Sequence, residues 1–264
     1  MNLVFENLNV TACYQFGLYT FCTNNIIRNC TVCGNSGGGI DMLGGLVSGC
    51  LANNNGTFGI AAYNATLSDC MSCSNGGVGF DCDNSMLARC HSLNNKGIGI
   101  SLATGNIEDS LVRQCGDDGV QISSGLVRNS QILNCAKNGI TASGTSIMGC
   151  TIQGNGLNGI SSSVGNGGCQ IIGNKVYQNN ATNSLSYGAI YITSANNVVQ
   201  DNFIAGNGAA GYGIYVNGIA TNTVIFKNVT AGNGARNYSV TTGNDLGPVG
   251  GATNSTSPWA NISH

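Results

Sequence analysis

Glycine followed by an apolar residue returns along this chain every twenty positions. Gly39-Ile40, Gly59-Ile60, Gly79-Phe80, Gly99-Ile100, Gly119-Val120, Gly139-Ile140 and Gly159-Ile160 span six consecutive intervals of that length. Gly17-Leu18 stands one repeat earlier with two residues inserted, and Ala189-Ile190, Gly213-Ile214 and Ser239-Val240 follow at steps of 30, 24 and 26. A period that persists through insertions belongs to a solenoid whose loops absorb the extra length.

Each repeat has the same inner grammar. Alternation after the Gly-Ile, as in Ile100-Ser101-Leu102 or Val120-Gln121-Ile122, predicts a short strand with one face buried. Seven residues after the Ile comes a second apolar site: Val47, Leu67, Leu87, Ile107, Val127 and Ile147. Three residues on lies a column of Cys30, Cys50, Cys70, Cys90 and Cys150, with Ser110 and Ser130 in its gaps and Asn174, Asn202 and Asn228 continuing it. A small or apolar position follows two further on, and then a turn asparagine: Asn35, Asn55, Asn75, Asn95, Asn155, Asn179, Asn207 and Asn233, replaced by Cys115 and Cys135 on two repeats. Asparagine bonds neighbouring backbone and tolerates the left-handed conformation of a tight bend. No heptad occurs, and the Leu-x-x-Leu-x-Leu signature of leucine-rich repeats is absent. The pattern predicts an all-β fold, a single-stranded parallel β-helix of about eleven coils with three short strands each. Residues 1–240 form it, and 241–264 are a C-terminal cap of the same domain.

Composition sharpens this picture. Only 8% of the residues are charged, 9 basic against 11 acidic, so the clustered positive field of a nucleic-acid binder is missing. No run of about 18 apolar residues spans a membrane. Thirteen cysteines is an odd number. Side chains stacked in register lie about 4.8 Å apart, against roughly 3.8 Å between disulfide-linked Cβ atoms, which favours free thiols inside the coil. Cys30-x-x-Cys33 and Cys70-x-x-Cys73 match zinc half-sites, but only two histidines, His91 and His264, could complete them. The few charges fall in columns (Asp69, Arg89 and Asp109; Glu108 and Arg128; Asp117 and Lys137), as expected for pairs that neutralise one another on a surface.

These residues resemble a known family. The Gly-Ile and Asn periodicity is similar to right-handed parallel β-helix proteins of the pectate-lyase-like superfamily. Leu46-Val-Ser-Gly-Cys50, Asn53-Asn-Asn-Gly56 and the tail Gly243-Asn-Asp-Leu-Gly-Pro-Val249 with Ser257-Pro-Trp-Ala-Asn261 look like secreted bacterial β-helix repeat proteins. The resemblance implies the right hand of the coil and an extracellular or cell-surface location. It also implies an N-terminal cap, whereas Leu3, Phe5, Leu8 and Val10 already suit a coil, so an open sheet edge offers end-to-end self-association.

Catalytic members of such families work on the outer face of the first strand. The outward pairs here are Asp41/Leu43, Ala61/Tyr63, Asp81/Asp83, Ser101/Ala103, Gln121/Ser123, Thr141/Ser143, Ser161/Ser163, Tyr191/Thr193 and Tyr215/Asn217. Without Lys, Arg or His, that face lacks the base and cations of a lyase. Gly116-Asp117-Asp118-Gly119 resembles the Gly-Asp-Asp element of polygalacturonases, but its partner motifs are missing. The acidic candidates for hydrolysis are therefore Asp81, Asp83, Asp117 and Asp118. Asp81 and Asp83, two apart on one strand, lie about 7 Å from each other, within the inverting range, and are also the one calcium candidate. No other cofactor is expected. Six of nine tyrosines gather in the last third, and Tyr187, Tyr191, Tyr212 and Tyr215 are the candidates for stacking on sugar rings, walled by insertions near 180–186 and 208–211. The alternative is that tyrosine fills a widening core. The leading expectation is a non-catalytic extracellular solenoid (scaffold, adhesin or fibre element) that binds polysaccharide or cell-surface glycan. A polysaccharide hydrolase and an end-to-end filament subunit are the alternatives.

Overall fold

Strands shorter than five residues cannot stand alone, and here each is paired in parallel with the equivalent strand one repeat on. A computed structural model describes residues 3–163, 165, 167–182, 187–251, 253 and 255–264. It divides into two units, Met1–Gln121 and Ile122–His264. Among the described residues there is no helix, and so none long and apolar enough to cross a membrane.

In the first unit the first strands are Leu18–Thr20, Ile40–Met42, Ile60–Tyr63 and Phe80–Asp83, followed by the opening of Ile100–Glu108. Asn25–Arg28, Gly45–Ser48, Ala65–Ser68 and Ser85–Ala88 form the second column, and Thr31–Cys33, Leu51–Asn53, Met71–Cys73, His91–Leu93 and Leu111–Arg113 the third. Register pairs Ile40 with Ile60, Ile60 with Phe80 and Phe80 with Ile100, so one apolar side chain lies over the next. All four are fully buried, as are Val47, Leu67, Leu87 and Ile107 of the second column. The second unit repeats the plan through Ile140–Ala142, Ile160–Ser162, Gly188–Ile192, Tyr212–Val216 and Arg236–Val240.

The cysteine column and its asparagine continuation solve one problem at one corner. Cys50 Sγ donates to Ser48 O at 3.3 Å and to Ile27 O at 3.6 Å, and Cys70 Sγ to Ser68 O and Val47 O at 3.2 and 3.5 Å. Asn202 Nδ2 does the same with Gln200 O and Ile171 O at 2.9 and 2.8 Å, and Ser110 Oγ with Glu108 O at 2.7 Å. Each residue type therefore supplies a second donor to a corner carbonyl that already accepts a backbone N–H from the rung before, as Ser48 O does from Asn29 N at 2.9 Å and Gln200 O from Gly173 N at 3.0 Å. This is a stricter requirement than being small and mildly polar.

At the other corner the amides bond to one another. Asn35 Nδ2 donates to Asn55 Oδ1 at 2.8 Å, Asn55 to Asn75 at 3.0 Å and Asn75 to Asn95 at 2.9 Å. Each Oδ1 also accepts the backbone N–H of the ladder residue on the preceding rung. The second unit has two such ladders, Asn155–Asn179–Asn207–Asn233 and Asn174–Asn202–Asn228–Asn261. Among the described residues no buried side-chain N or O lacks a partner.

The structure corrects one expectation. The ladder asparagines are not the left-handed residues; the positions just before them are, at Gly34, Asn54, Ser74, Asn94 and Gln114, with φ between 52° and 66°. An inward amide needs the ordinary conformation, so the strain of the bend is displaced one residue upstream. The tail, expected as a cap of the same domain, adds a rung to the coils that the period predicts. Asn261–Ser263 pairs with Val229–Ala231, and Asp245–Leu246 pairs with Val224–Phe226. Asn261 is fully buried and ends the ladder that Asn228 feeds.

All thirteen cysteines are free thiols. Burial raises the Cys150 thiol to about 11, and a hydrogen bond with Cys70 followed by burial pushes Cys50 well above the usual thiol range. In the native protein a disulfide reagent should therefore modify Cys22 first and Cys13, Cys33 and Cys73 more slowly. The remaining nine should react only on unfolding, as a thiol titration with and without denaturant will read. Removing one ladder amide strands donors and acceptors on both adjacent rungs. Asn75→Ala should accordingly cost about 3 kcal/mol in urea unfolding.

Candidate functional site

Because the side chains of a strand alternate, burial of Ile60 and Ala62 turns Ala61 and Tyr63 outward, and the twenty-residue register lines them up with their counterparts. In the first unit the resulting row reads Tyr19, Asp41, Ala61, Asp81, Ser101. A second row beside it carries Tyr63 and Asp83, in register with each other. Neither row contains a cation. Asp41 and Asp81 lie two rungs apart, about 9.6 Å along the stack, with Ala61 between them, and Ala61 is itself only 2% exposed.

Both carboxyls are held above the usual carboxylate range. For Asp41 the causes are burial and then the like charge of Asp81, and for Asp81 burial, opposed by a hydrogen bond from Ser101. Tyr63 is raised too, by burial and then by Asp81 and Asp41. Asp83 differs: its Oδ1 accepts bonds from the backbone N–H and hydroxyl of Thr104 and from Asn84 N, at 3.1, 2.9 and 2.7 Å. The expected pair of Asp81 with Asp83 is thus present on one strand, but Asp83 is committed to its neighbours. Asp117 and Asp118 lie in the turn before Val120 rather than on this face. Asp117 Oδ1 accepts from Asp118 N at 2.8 Å, and Asp118, 4% exposed, accepts from Gln121 Nε2 at 3.0 Å. Among the described residues no group of three or more His, Cys, Asp or Glu side chains is arranged to hold a metal ion.

An aromatic shelf adjoins the acids. Tyr19 stacks on Phe16 at 5.3 Å between centroids and meets Phe21 edge-on at 4.7 Å, and Phe16 stacks on Phe58 at 5.8 Å. The Phe58 ring lies over Gly38, where an added Cβ would come 2.2 Å from Phe58 Cζ, so glycine there makes room for the ring. Tyr14, Phe16, Gly37 and Phe58 line an open groove of about 680 Å³. Phe21 is 71% exposed. Sequence reasoning missed these rings, and it placed Asp41 on the outward face without choosing it among the acid candidates. The signal was available: Tyr19 and Phe21 hold the outward places after Gly17-Leu18, but the two-residue insertion hid that coil from the period.

In the second unit the outward row is Ser161, Tyr191, Tyr215, Ser239. Tyr191 and Tyr215 stack at 5.2 Å, Tyr212 and Tyr215 lie 4.7 Å apart, and Asn217 Nδ2 donates to Tyr191 Oη at 2.7 Å. Tyr187, Tyr191, Tyr212 and Tyr215 are all half-buried on the surface rather than in the core. Tyr238 is the exception. It pairs with Ile214 on the inward row, its hydroxyl donates to Asn228 O at 3.1 Å, and burial raises it to about 12. Core filling therefore accounts for Tyr238 and not for the four candidates. Of the expected insertion walls, residues 183–186 lie outside the described residues, and the other closes through Gly211 N to Gly208 O at 3.0 Å. A further open groove of about 560 Å³ is lined by Val224, Phe226, Leu246 and Trp259, with Lys227 Nζ 4.8 Å from the Trp259 ring centre.

The geometry defines a parallel β-solenoid with an acidic, aromatic-lined first-strand face. A family model described as right handed beta helix region matches residues 1–148, and the chain belongs to that family. It is similar to the Azotobacter vinelandii mannuronan C-5 epimerase AlgE6 A-module at 15% identity and TM-score 0.67, covering 96% of this chain and 77% of that one. It is also similar to an alginate lyase from Paenibacillus sp. str. FPU-7, at 11% identity and TM-score 0.61 over 91% of this chain and all of that one. The tailspike protein of E. coli bacteriophage HK620, solved with a pentasaccharide, aligns at 12% identity and TM-score 0.59, covering 94% of this chain and 56% of its own. At these identities the likeness is one of fold. No curated protein sequence matches the chain.

A carboxyl whose folded pKa exceeds its unfolded one destabilises the fold when ionised, and the penalty fades as pH falls through the folded value. Asp41→Asn or Asp81→Asn should therefore raise Tm at pH 7 by about 1–3 °C. That advantage over the parent should vanish near pH 3, which scanning calorimetry at several pH values checks.

Proposed function

We propose that this chain is a glycan-binding β-solenoid of the extracellular or cell-surface kind, a scaffold, adhesin or fibre element with its ligand laid along the first-strand face. The observation that carries this reading is the row Tyr19, Asp41, Ala61, Asp81, Ser101 with Tyr63 beside it. Rings that stack on the apolar faces of sugars alternate there with carboxylates and a hydroxyl that bond sugar hydroxyls. The sites repeat at the rung spacing, so an extended polymer meets several of them at once. Two fold relatives named for mannuronan and alginate, and one solved with a pentasaccharide, support the same ligand class. The tyrosines of the second unit offer a further stacking platform, with Tyr191 and Tyr215 stacked on each other.

Screening on a glycan array followed by calorimetry tests the reading. Tyr63→Ala and Tyr19→Ala should each weaken the best ligand about tenfold with unchanged circular dichroism. Failure to retain any glycan would sink the proposal.

One observation favours a second reading, hydrolysis. Asp41 and Asp81 are half-buried carboxyls raised together, and their spacing along the stack borders on the roughly 6.5–9.5 Å of inverting enzymes. In that reading Asp41 takes the place expected of Asp83. Reducing ends released from a bound glycan by the parent, and not by Asp81→Asn, would make the protein an enzyme.

A further inference from the structure

The charges of the first unit are distributed unevenly with respect to its outward face. That unit has four basic side chains, Arg28, Arg89, Lys96 and Arg113. Arg28 ends a second strand and bonds Glu6 at 2.7 Å, and Arg89 at the next corner holds Asp69 through two bonds of 2.7 and 2.8 Å. Lys96 stands in the turn before Gly99-Ile100, and Arg113 lies on a third strand. The face itself carries Asp41, Asp81 and Asp83 with no cation in either row. Asp41 and Asp81 already press on each other electrostatically across Ala61.

Any anionic group laid over Ala61 would add a third like charge beside two that are partly withdrawn from water. A hydroxyl donates to those carboxylates at no such cost, and an ammonium relieves their repulsion. Resting on the glycan-binding reading above, we propose that this face takes glycans free of carboxylate and sulfate groups, with amino sugars preferred, and rejects polyuronates. Its ligand class then differs from the polyanionic mannuronan and alginate for which two of its fold relatives are named. Shared architecture carries no shared substrate, because selectivity resides in the outward residues and the fold in the inward ones.

The test uses the full chain on an array printed with neutral, amino-bearing, uronate and sulfated glycans. Only ligands whose binding is lost in Tyr63→Ala are scored, which ties each to this face. At low ionic strength uronate and sulfated members should bind at least tenfold more weakly than matched neutral ones, and amino-bearing members more tightly. The gap should narrow at about 0.15 M salt and in the Asp41→Asn/Asp81→Asn double variant. Uronates bound as strongly as neutral glycans would overturn the charge selection and leave the glycan reading standing. An array without any hit would overturn both.

Discussion

A parallel solenoid bends its backbone several times per turn, and at such bends backbone N–H groups leave the ladder, as Asn35 N does when it turns to Asn55 Oδ1. The rest of this structure depends on how those bends are repaired. At one corner Cys, Ser and Asn are interchangeable because each aims a donor at the same carbonyl, as Cys50, Ser110 and Asn202 do. At the other corner the amide of Asn75 accepts from Asn55 and donates to Asn95, so the repair is passed from rung to rung. A hydrogen-bonded column of this kind tolerates no slip. A shift of one residue in register would turn every donor out of the coil.

Fixed register is what makes the surface informative. Since Ile40, Ile60, Phe80 and Ile100 are stacked inside, the residues next to them are stacked outside at the same spacing. The interior is nearly uniform from coil to coil, whereas the exterior changes from Tyr to Asp to Ala to Ser. Chemistry can be varied on such a face without disturbing the core. That freedom is consistent with the low identity to solved β-helices of similar architecture. The raised carboxyls of Asp41 and Asp81 mark the place where the outer face departs from what stability alone would choose.

Much of this was legible in the amino-acid order. The period located the strands, the buried rows and both ladders, because a side chain that must meet its own equivalent one turn later has to recur at the length of a turn. The charge column Asp69–Arg89 was legible for the same reason. The tail was harder to read, since its final rung is built from short segments separated by a loop, with Asn261 and Asn244 taking up ladder bonds from the rung before. The left-handed positions were placed one residue too late: composition cannot tell which of two adjacent polar residues points inward.

The sequence by itself determined the parallel coil, its rungs and the free thiols inside it, since these follow from spacing alone. Only the tertiary structure decided the candidate site. Phe16 and Tyr19 lie two repeats from Phe58, yet Phe16 stacks on both, and Asp41 and Asp81 stand two turns apart with Ala61 between them. Which acids are free is likewise a matter of hydrogen bonds made in three dimensions. Thr104 occupies Asp83, Gln121 occupies Asp118, and neither bond leaves a trace in the pattern of residues along the chain.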